Sequence, residues 1–141
     1  MNMITYGSGT GEDPWLLKTP SLASDYQAWR DPAKEELVVQ AGSTRLAYQL
    51  RCIEDLSAMQ QARGDWVALG NADEGKPVQE GSGEAWARDA ANPVGGYYGI
   101  HKGYRGRFGN YVPPVMELLG LAEVEHNARG NRMRARQNAG L

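Results

Sequence analysis

The stretch "ELVVQAGSTRLAYQLRCIEDLSAMQQARG", residues 36–64, decides the fold class. In its middle, Leu46, Tyr48 and Leu50 alternate with Arg45, Ala47, Gln49 and Arg51, the period of two that marks a strand with one face in the core. Residues 37–41 before it are short and β-branched, and Gly42, free to take a positive φ, lets the two runs close as a hairpin. From Cys52 the period changes. Cys52, Ile53, Leu56 and Met59 recur at spacings of three and four, Glu54 and Asp55 fall in the first turn where the helix dipole favours carboxylates, and Gly64 supplies a stop. A hairpin followed at once by an amphipathic helix predicts an α+β domain.

Working outward, the 141 residues suit one small domain with a single core. Residues 35–141 are predicted to form that domain. Residues 1–34 read as a loosely structured arm, because Pro14, Pro20 and Pro32 interrupt any helix, while Trp15, Leu16, Leu17, Tyr26 and Trp29 tack it onto the core. Beyond the helix, "DWVAL" predicts a brief strand burying Trp66 and Leu69, "GNADEGKPVQEGSG" a loop, and "EAWARDAA" a short helix closed by Asn92 and Pro93. "PPVMELLG" predicts another short helix, with proline in its first turn and Gly120 at its end, carrying Val115, Met116, Leu118 and Leu119. "LAEVEH" and "NRMRAR" then flank "NARG" as a hairpin. This helix–hairpin order resembles the second half of a winged-helix domain, which implies a helix that meets DNA and a hairpin that acts as the wing. The double proline shortens the helix to about two turns, below the usual length.

The composition is that of a globular chain, 41% apolar and 23% charged. One cysteine excludes an internal disulfide framework, the opening "MNMITYGSGTGEDP" has neither the basic nor the apolar part of a signal peptide, and no apolar run approaches a membrane span. A cytoplasmic protein with no membrane association is expected. Charge is unevenly placed: residues 1–100 carry eight Lys/Arg against fourteen Asp/Glu, or −6, and residues 101–141 carry seven against three, or +4. Such polarity points either to a polyanionic partner or to pairing between the two parts within the fold.

Two segments hold the cations. In "GGYYGIHKGYRGRFGNYVPP", residues 95–114, Lys102, Arg105 and Arg107 are interleaved with Tyr104, Phe108 and Tyr111, and Gly103, Gly106 and Gly109 recur every third residue. Cations for phosphates, aromatic faces for bases and glycines for close backbone approach are what a nucleic-acid surface needs. The competing account has the aromatics inside, the arginines outside and the glycines merely permitting a tight path. In "ARGNRMRAR", Arg129 precedes Arg132, Arg134 and Arg136, which line one face of a strand at about 7 Å spacing. They suit consecutive phosphates, or they answer Glu123 and Glu125 on the neighbouring strand.

An enzyme is harder to assemble. His101 and His126 are the only histidines, no metal-ligand spacing is present, and Cys52 lies on an apolar helix face as a packing residue. Asp73, Glu74 and Lys76 could do acid–base work but read first as a solvated turn, and "GSGTG" lacks the strand, helix and GK[ST] ending of a phosphate loop. No cofactor, metal or catalytic residue is predicted. Trp15, Trp29, Trp66 and Trp86 offer a further possibility, a protein-binding surface, if a pair of them is exposed.

The stretches "EDPWLLKTP", "LRCIEDLSAM", "GDWVALGNADEGKP", "EAWARDAANPVGGYYG", "KGYRGRFGNYVPP" and "LGLAEVEHNARGNRMRA" resemble a family of bacterial proteins that carry a domain of unknown function. The resemblance implies one integral domain and a bacterial, cytosolic origin, and it brings no activity with it. The function expected from the residues is nucleic-acid binding, to DNA or RNA, with phosphate contacts from Lys102, Arg105, Arg107, Arg129, Arg132, Arg134 and Arg136 and stacking or sugar contacts from Tyr104 and Tyr111. The alternative is a protein-interaction or scaffold module, with a small enzyme third.

Overall fold

The expected hairpin forms, as β3 (Glu36–Ala41) and β4 (Thr44–Gln49), and the computed structural model, which describes residues 6–136, extends it into a four-stranded sheet. The extension corrects the expectation of an arm over residues 1–34. That segment supplies β1 (Trp15–Lys18) and β2 (Asp25–Asp31), which join the hairpin as an antiparallel meander in the order β1-β2-β3-β4. Pro14, Pro20 and Pro32 fall just outside the two strands, so they bound them and remove no ladder hydrogen bond. Residues 1–5 of the expected arm and 137–141 of the expected domain lie outside the described residues.

α1 (Cys52–Arg63) follows as expected, with Cys52, Ile53 and Leu56 buried. Gly64 ends it at φ 67°, and its N–H donates to the Gln60 carbonyl at 3.0 Å. The alternation in β4 is not strict: Ala47, expected outside, is buried. The cause is tertiary, since Gln49 N–H donates to Tyr98 C=O and Ile100 N–H to Ala47 C=O, so residues 98–100 run along the free edge of β4.

β5 (Val67–Ala68) and α2 (Gly83–Trp86) are both short, and the Ser82 hydroxyl caps α2 by accepting from Ala85 N–H. α3 (Phe108–Leu118) differs from expectation. It begins five residues before the prolines, so Pro113 and Pro114 lie inside it rather than in its first turn. An internal proline costs about 3 kcal/mol or more. Burial offsets that cost, because eight of the eleven residues, both prolines among them, are out of solvent. β6 (Ala122–Val124) and β7 (Arg132–Ala135) form the expected hairpin, and β5 pairs with the other edge of β7 to give a sheet in the order β5-β7-β6. The helix–hairpin order is thus present, but α3 is a core helix with no broad exposed face for a DNA groove.

One core joins both sheets. Leu17, Tyr26, Leu37, Val39, Leu46 and Tyr48 from the inner face of the larger sheet meet Leu56 of α1, Val112, Val115 and Met116 of α3, and Val124 and Met133 of the smaller sheet. A contiguous core of this kind makes an α+β unit of a single domain. Among the described residues no helix is long and apolar enough to cross a membrane.

Two glycines set how closely the segments approach. A Cβ on Gly109 would lie 2.4 Å from the Leu69 carbonyl oxygen, and one on Gly106 would lie 2.2 Å from the Glu74 nitrogen. Both obstacles are backbone. Gly109→Ala and Gly106→Ala are each expected to cost about 2–4 kcal/mol in urea unfolding. Gly42→Ala, at φ 60° with nothing within 4 Å, should cost only about 1–2 kcal/mol. Equal costs at the three positions would refute the close-approach account.

Candidate functional site

The Gly-aromatic segment, residues 95–114, packs down onto the core. Tyr98 is fully buried, its hydroxyl donates to Asp55 at 2.8 Å, and its ring stacks on Trp86 at 5.2 Å. Phe108 meets Tyr48 edge-on at 5.6 Å, and the Tyr48 hydroxyl donates to Gly106 C=O at 2.8 Å. Burial holds both the Tyr48 and Tyr98 hydroxyls protonated, pushing them well above the usual tyrosine range. Tyr111 must be withdrawn as a stacking residue: it is buried, with its ring 5.0 Å from Tyr26 and its carbonyl accepting from the Tyr26 hydroxyl. What stays exposed is the tip, where Tyr104 is 54% accessible beside His101 and Lys102.

Beneath the segment lies a polar clasp. Glu84 is fully buried and accepts from Gly109 N–H at 2.9 Å and from Ala72 N–H at 3.4 Å. Arg88, one helical turn on, faces it at 3.3 Å. The Arg88 guanidinium also donates to the carbonyls of Ala72, Asp73 and Lys76 at 2.7, 2.9 and 3.2 Å. Burial holds the Glu84 carboxyl above the usual range, against the pull of the Gly109 and Ala72 amides and of Arg88. The carboxylate sits at the start of α3, where a phosphate would otherwise find free amides and a favourable dipole. That anion site is filled from within.

The clasp presents two more carboxylates. Asp73 pairs with Arg107, and Glu74 pairs with Arg105 and accepts from Gly103 N–H at 2.6 Å. Hydrogen bonds from Arg107 and Arg105 hold the Asp73 and Glu74 carboxyls below the usual range. Arg105 also lies 4.1 Å over the Tyr97 ring. On the hairpin, Arg134 stands opposite Glu123 in register and pairs with it, while Arg132 pairs with Glu125 through two nitrogens at 2.9 and 2.8 Å. Both guanidiniums cover Trp66, at 5.1 and 4.5 Å from its ring. Thus Arg105, Arg107, Arg132 and Arg134 are held by carboxylates. Lys102, Tyr104, Arg129 and Arg136 are exposed, and the three cations among them have no ion pair among the described residues. The tryptophans give no exposed pair, since Trp15 is buried and Trp29, Trp66 and Trp86 are half-buried.

A concavity lies elsewhere, beside β1 at the larger sheet. It is a groove of about 1090 Å³ lined by Leu16, Leu22 and Tyr26, by Gln40 and Gly42 of the β3–β4 hairpin, and by Glu117, Leu118 and His126. Leu16 is 53% and Leu22 52% accessible. His126 bridges three elements. One ring nitrogen is 2.9 Å from the Pro20 carbonyl in the β1–β2 turn, and the other is 2.7 Å from Glu117 on α3. Both nitrogens face oxygens, so the doubly protonated ring fits best. Burial opposes that charge, but the Glu117 and Pro20 hydrogen bonds outweigh it and raise the histidine above its ordinary value.

None of these groove residues was marked by a motif. Leu16 was expected to tack the first segment onto the core, but the alternation of β1 turns it outward, and it is exposed. Two outcomes are expected. Glu84→Ala leaves Arg88 buried without its carboxylate and should cost about 3–5 kcal/mol in chemical denaturation; a loss below about 1 kcal/mol would overturn the clasp as a structural element. The His126 contribution is fully present below its unfolded-state pKa, about 6.5, and is lost as pH rises through its raised folded-state value. The melting temperature should therefore fall across that window by more in the wild type than in His126→Gln, and identical pH profiles would rule the ion pair out as a contributor.

No curated protein and no solved structure matches the chain. A family model does match, and it spans residues 7–136, from the segment that reaches β1 to the end of the smaller sheet. The chain belongs to that family, DUF6855, a family of unknown function.

Proposed function

We propose that this domain is a cytoplasmic, non-enzymatic interaction module that docks a protein partner in the groove beside β1. One observation carries the proposal: an apolar groove of about 1090 Å³ is flanked by two leucines that each leave more than half their surface in water. Exposed apolar surface of this kind in a small domain marks an interaction site. His126 supports no acid–base role, because both its ring nitrogens are engaged and neither is free to reach a substrate.

A second reading, nucleic-acid binding, keeps a narrower footing than the sequence suggested. It rests on Tyr104, the most accessible large apolar side chain among the described residues, beside Lys102, with Arg129 and Arg136 as further cations. The four paired arginines are poor candidates, since a phosphate would have to displace a carboxylate from each.

The two readings separate in fluorescence anisotropy with labelled duplex DNA, single-stranded DNA and RNA. The docking proposal expects weak binding that Arg132→Ala with Arg134→Ala leaves unchanged. A log–log salt slope of roughly −3 to −6 that the double variant flattens would reverse the order of the readings. A photo-crosslinking side chain at position 22 is expected to give a discrete protein adduct that Leu16→Lys abolishes. Adducts that persist in Leu16→Lys would remove the groove from the proposal.

A further inference from the structure

Another cavity, of about 390 Å³, lies where the β1–β2 turn, the loop of residues 69–79, the start of α3 and the β6–β7 turn converge. Its volume falls at the small end of the range for small-molecule sites, about 300–1,000 Å³. Its walls are tied to one another by the chain's own hydrogen bonds. Asn131 C=O accepts from Leu69 N–H at 3.0 Å, and the buried Asn131 side chain closes its turn by accepting from Asn127 N–H at 2.6 Å and donating to Asn127 C=O at 2.9 Å. His126 holds the Pro20 carbonyl, Glu84 holds the Gly109 and Ala72 amides, and the Gln79 carbonyl accepts from the Ser82 hydroxyl at 2.6 Å. The backbone frame is therefore set before any ligand arrives.

The side chains on that frame are not used up in the same way. Ser21, Asn71, Gln79, Asn110 and Arg129 line the cavity, and none of the five side chains has a hydrogen-bond or ion-pair partner among the described residues. Unpartnered polar side chains are ordinary on a convex surface, where water serves each one separately. Five of them, drawn from four segments into one concavity, are placed to be served together by one ligand.

Their chemistry narrows the class. No Asp or Glu lines the cavity, and Arg129 is the only cation among its lining residues. Arg105, Arg107, Arg132 and Arg134, by contrast, are each held by a carboxylate. A guanidinium with no carboxylate to displace favours an oxyanion. Three carboxamides and a hydroxyl, each able both to donate and to accept, match the hydroxyl groups of a polyol. Glu84 already takes the Gly109 amide at the start of α3, so the oxyanion falls to Arg129 and not to the helix.

We propose that this cavity binds a small polyol carrying one oxyanion, a phosphate ester or a carboxylate, with Arg129 on the oxyanion and Asn71, Gln79 and Asn110 on the hydroxyls. The site shares no lining residue with the groove beside β1 and does not depend on the docking proposal.

Calorimetric titration of the full chain with glucose 6-phosphate, ribose 5-phosphate and glucuronate, against glucose and inorganic phosphate alone, tests the assignment. At least one of the three anionic sugars should bind saturably, about tenfold or more tighter than either glucose or inorganic phosphate. The two phosphates against glucuronate separate the kinds of oxyanion. Arg129→Gln should weaken binding of that sugar about tenfold or more, and Asn71→Ala combined with Asn110→Ala should weaken it comparably. Because no internal contact is lost, both variants should melt within about 2 °C of the wild type. Saturable binding by none of the three sugars would overturn the proposal, as would an affinity unchanged in Arg129→Gln. Inorganic phosphate bound as tightly as the sugar would overturn the polyol assignment. A larger fall in melting temperature would mean that these side chains are used within the fold, and would overturn it too.

Discussion

Glu84 is the residue on which the middle of the structure depends. A carboxylate out of water costs several kcal/mol unless other dipoles and charges take the place of its hydration. Here the Gly109 amide, the Ala72 amide and the Arg88 guanidinium do so, at the positive end of α3. Each of those groups comes from a different segment. Satisfying the one carboxylate therefore fixes where the loop at residues 70–77, the short α2 and the start of α3 stand relative to one another. The reach of Arg88 to three loop carbonyls then leaves that loop with a single arrangement, in which Asp73 and Glu74 are aimed at Arg107 and Arg105.

The glycines belong to the same arrangement. Gly106 and Gly109 resemble the small residues that let a phosphate touch backbone, but in this fold they let backbone touch backbone. Arg107 between them adopts φ 60° without being glycine, held there by its N–H to Ala72 C=O at 2.7 Å and by its pair with Asp73. A segment whose aromatics are core, whose arginines are clasped and whose glycines are closed by the chain's own main chain is an architectural element. Its tip, residues 100–104, faces water, as do Gly95 and the carboxylate-paired Arg107.

How much of this was legible depended on the range of the interaction. The hairpin, α1 and the β6–β7 hairpin were legible because their periodicities and turn residues are local, and Arg134 opposite Glu123 follows from the register of one hairpin. β1 and β2 were not. Their strands are short, and prolines at 14, 20 and 32 look like breakers until the ladder shows them standing just outside it. α3 was misplaced for a related reason: a helix that carries two prolines is sustained by burial, which no local pattern reports. The clasp was invisible because Glu84 draws its partners from residues 12 and 25 positions away. The groove was hidden too, since an edge strand becomes an edge only when the sheet order is known.

The charge polarity of the sequence finds its explanation in the same geometry. Two of the acidic residues of the first hundred, Asp73 and Glu74, meet Arg107 and Arg105 across the fold, and Glu123 and Glu125 meet Arg134 and Arg132 within the basic third. Such pairs are worth little as stability when exposed to salt. Their effect on recognition is larger. An incoming phosphate must compete with a carboxylate already in place at Arg105, Arg107, Arg132 and Arg134, bidentate at Arg132, and at the last two the Trp66 face also stabilises the cation. Along the edge of β1, Leu16 N–H donates to Tyr6 C=O at 2.7 Å, and no arginine–carboxylate pair stands there among the described residues. The Lys18 N–H and the carbonyls of Leu16 and Lys18 have no partner among the described residues, and the leucines beside them lose unfavourable hydration when covered. Association is driven where the free surface has the least to give up, which is why the proposal sets a docking face at β1 and not at the paired arginines.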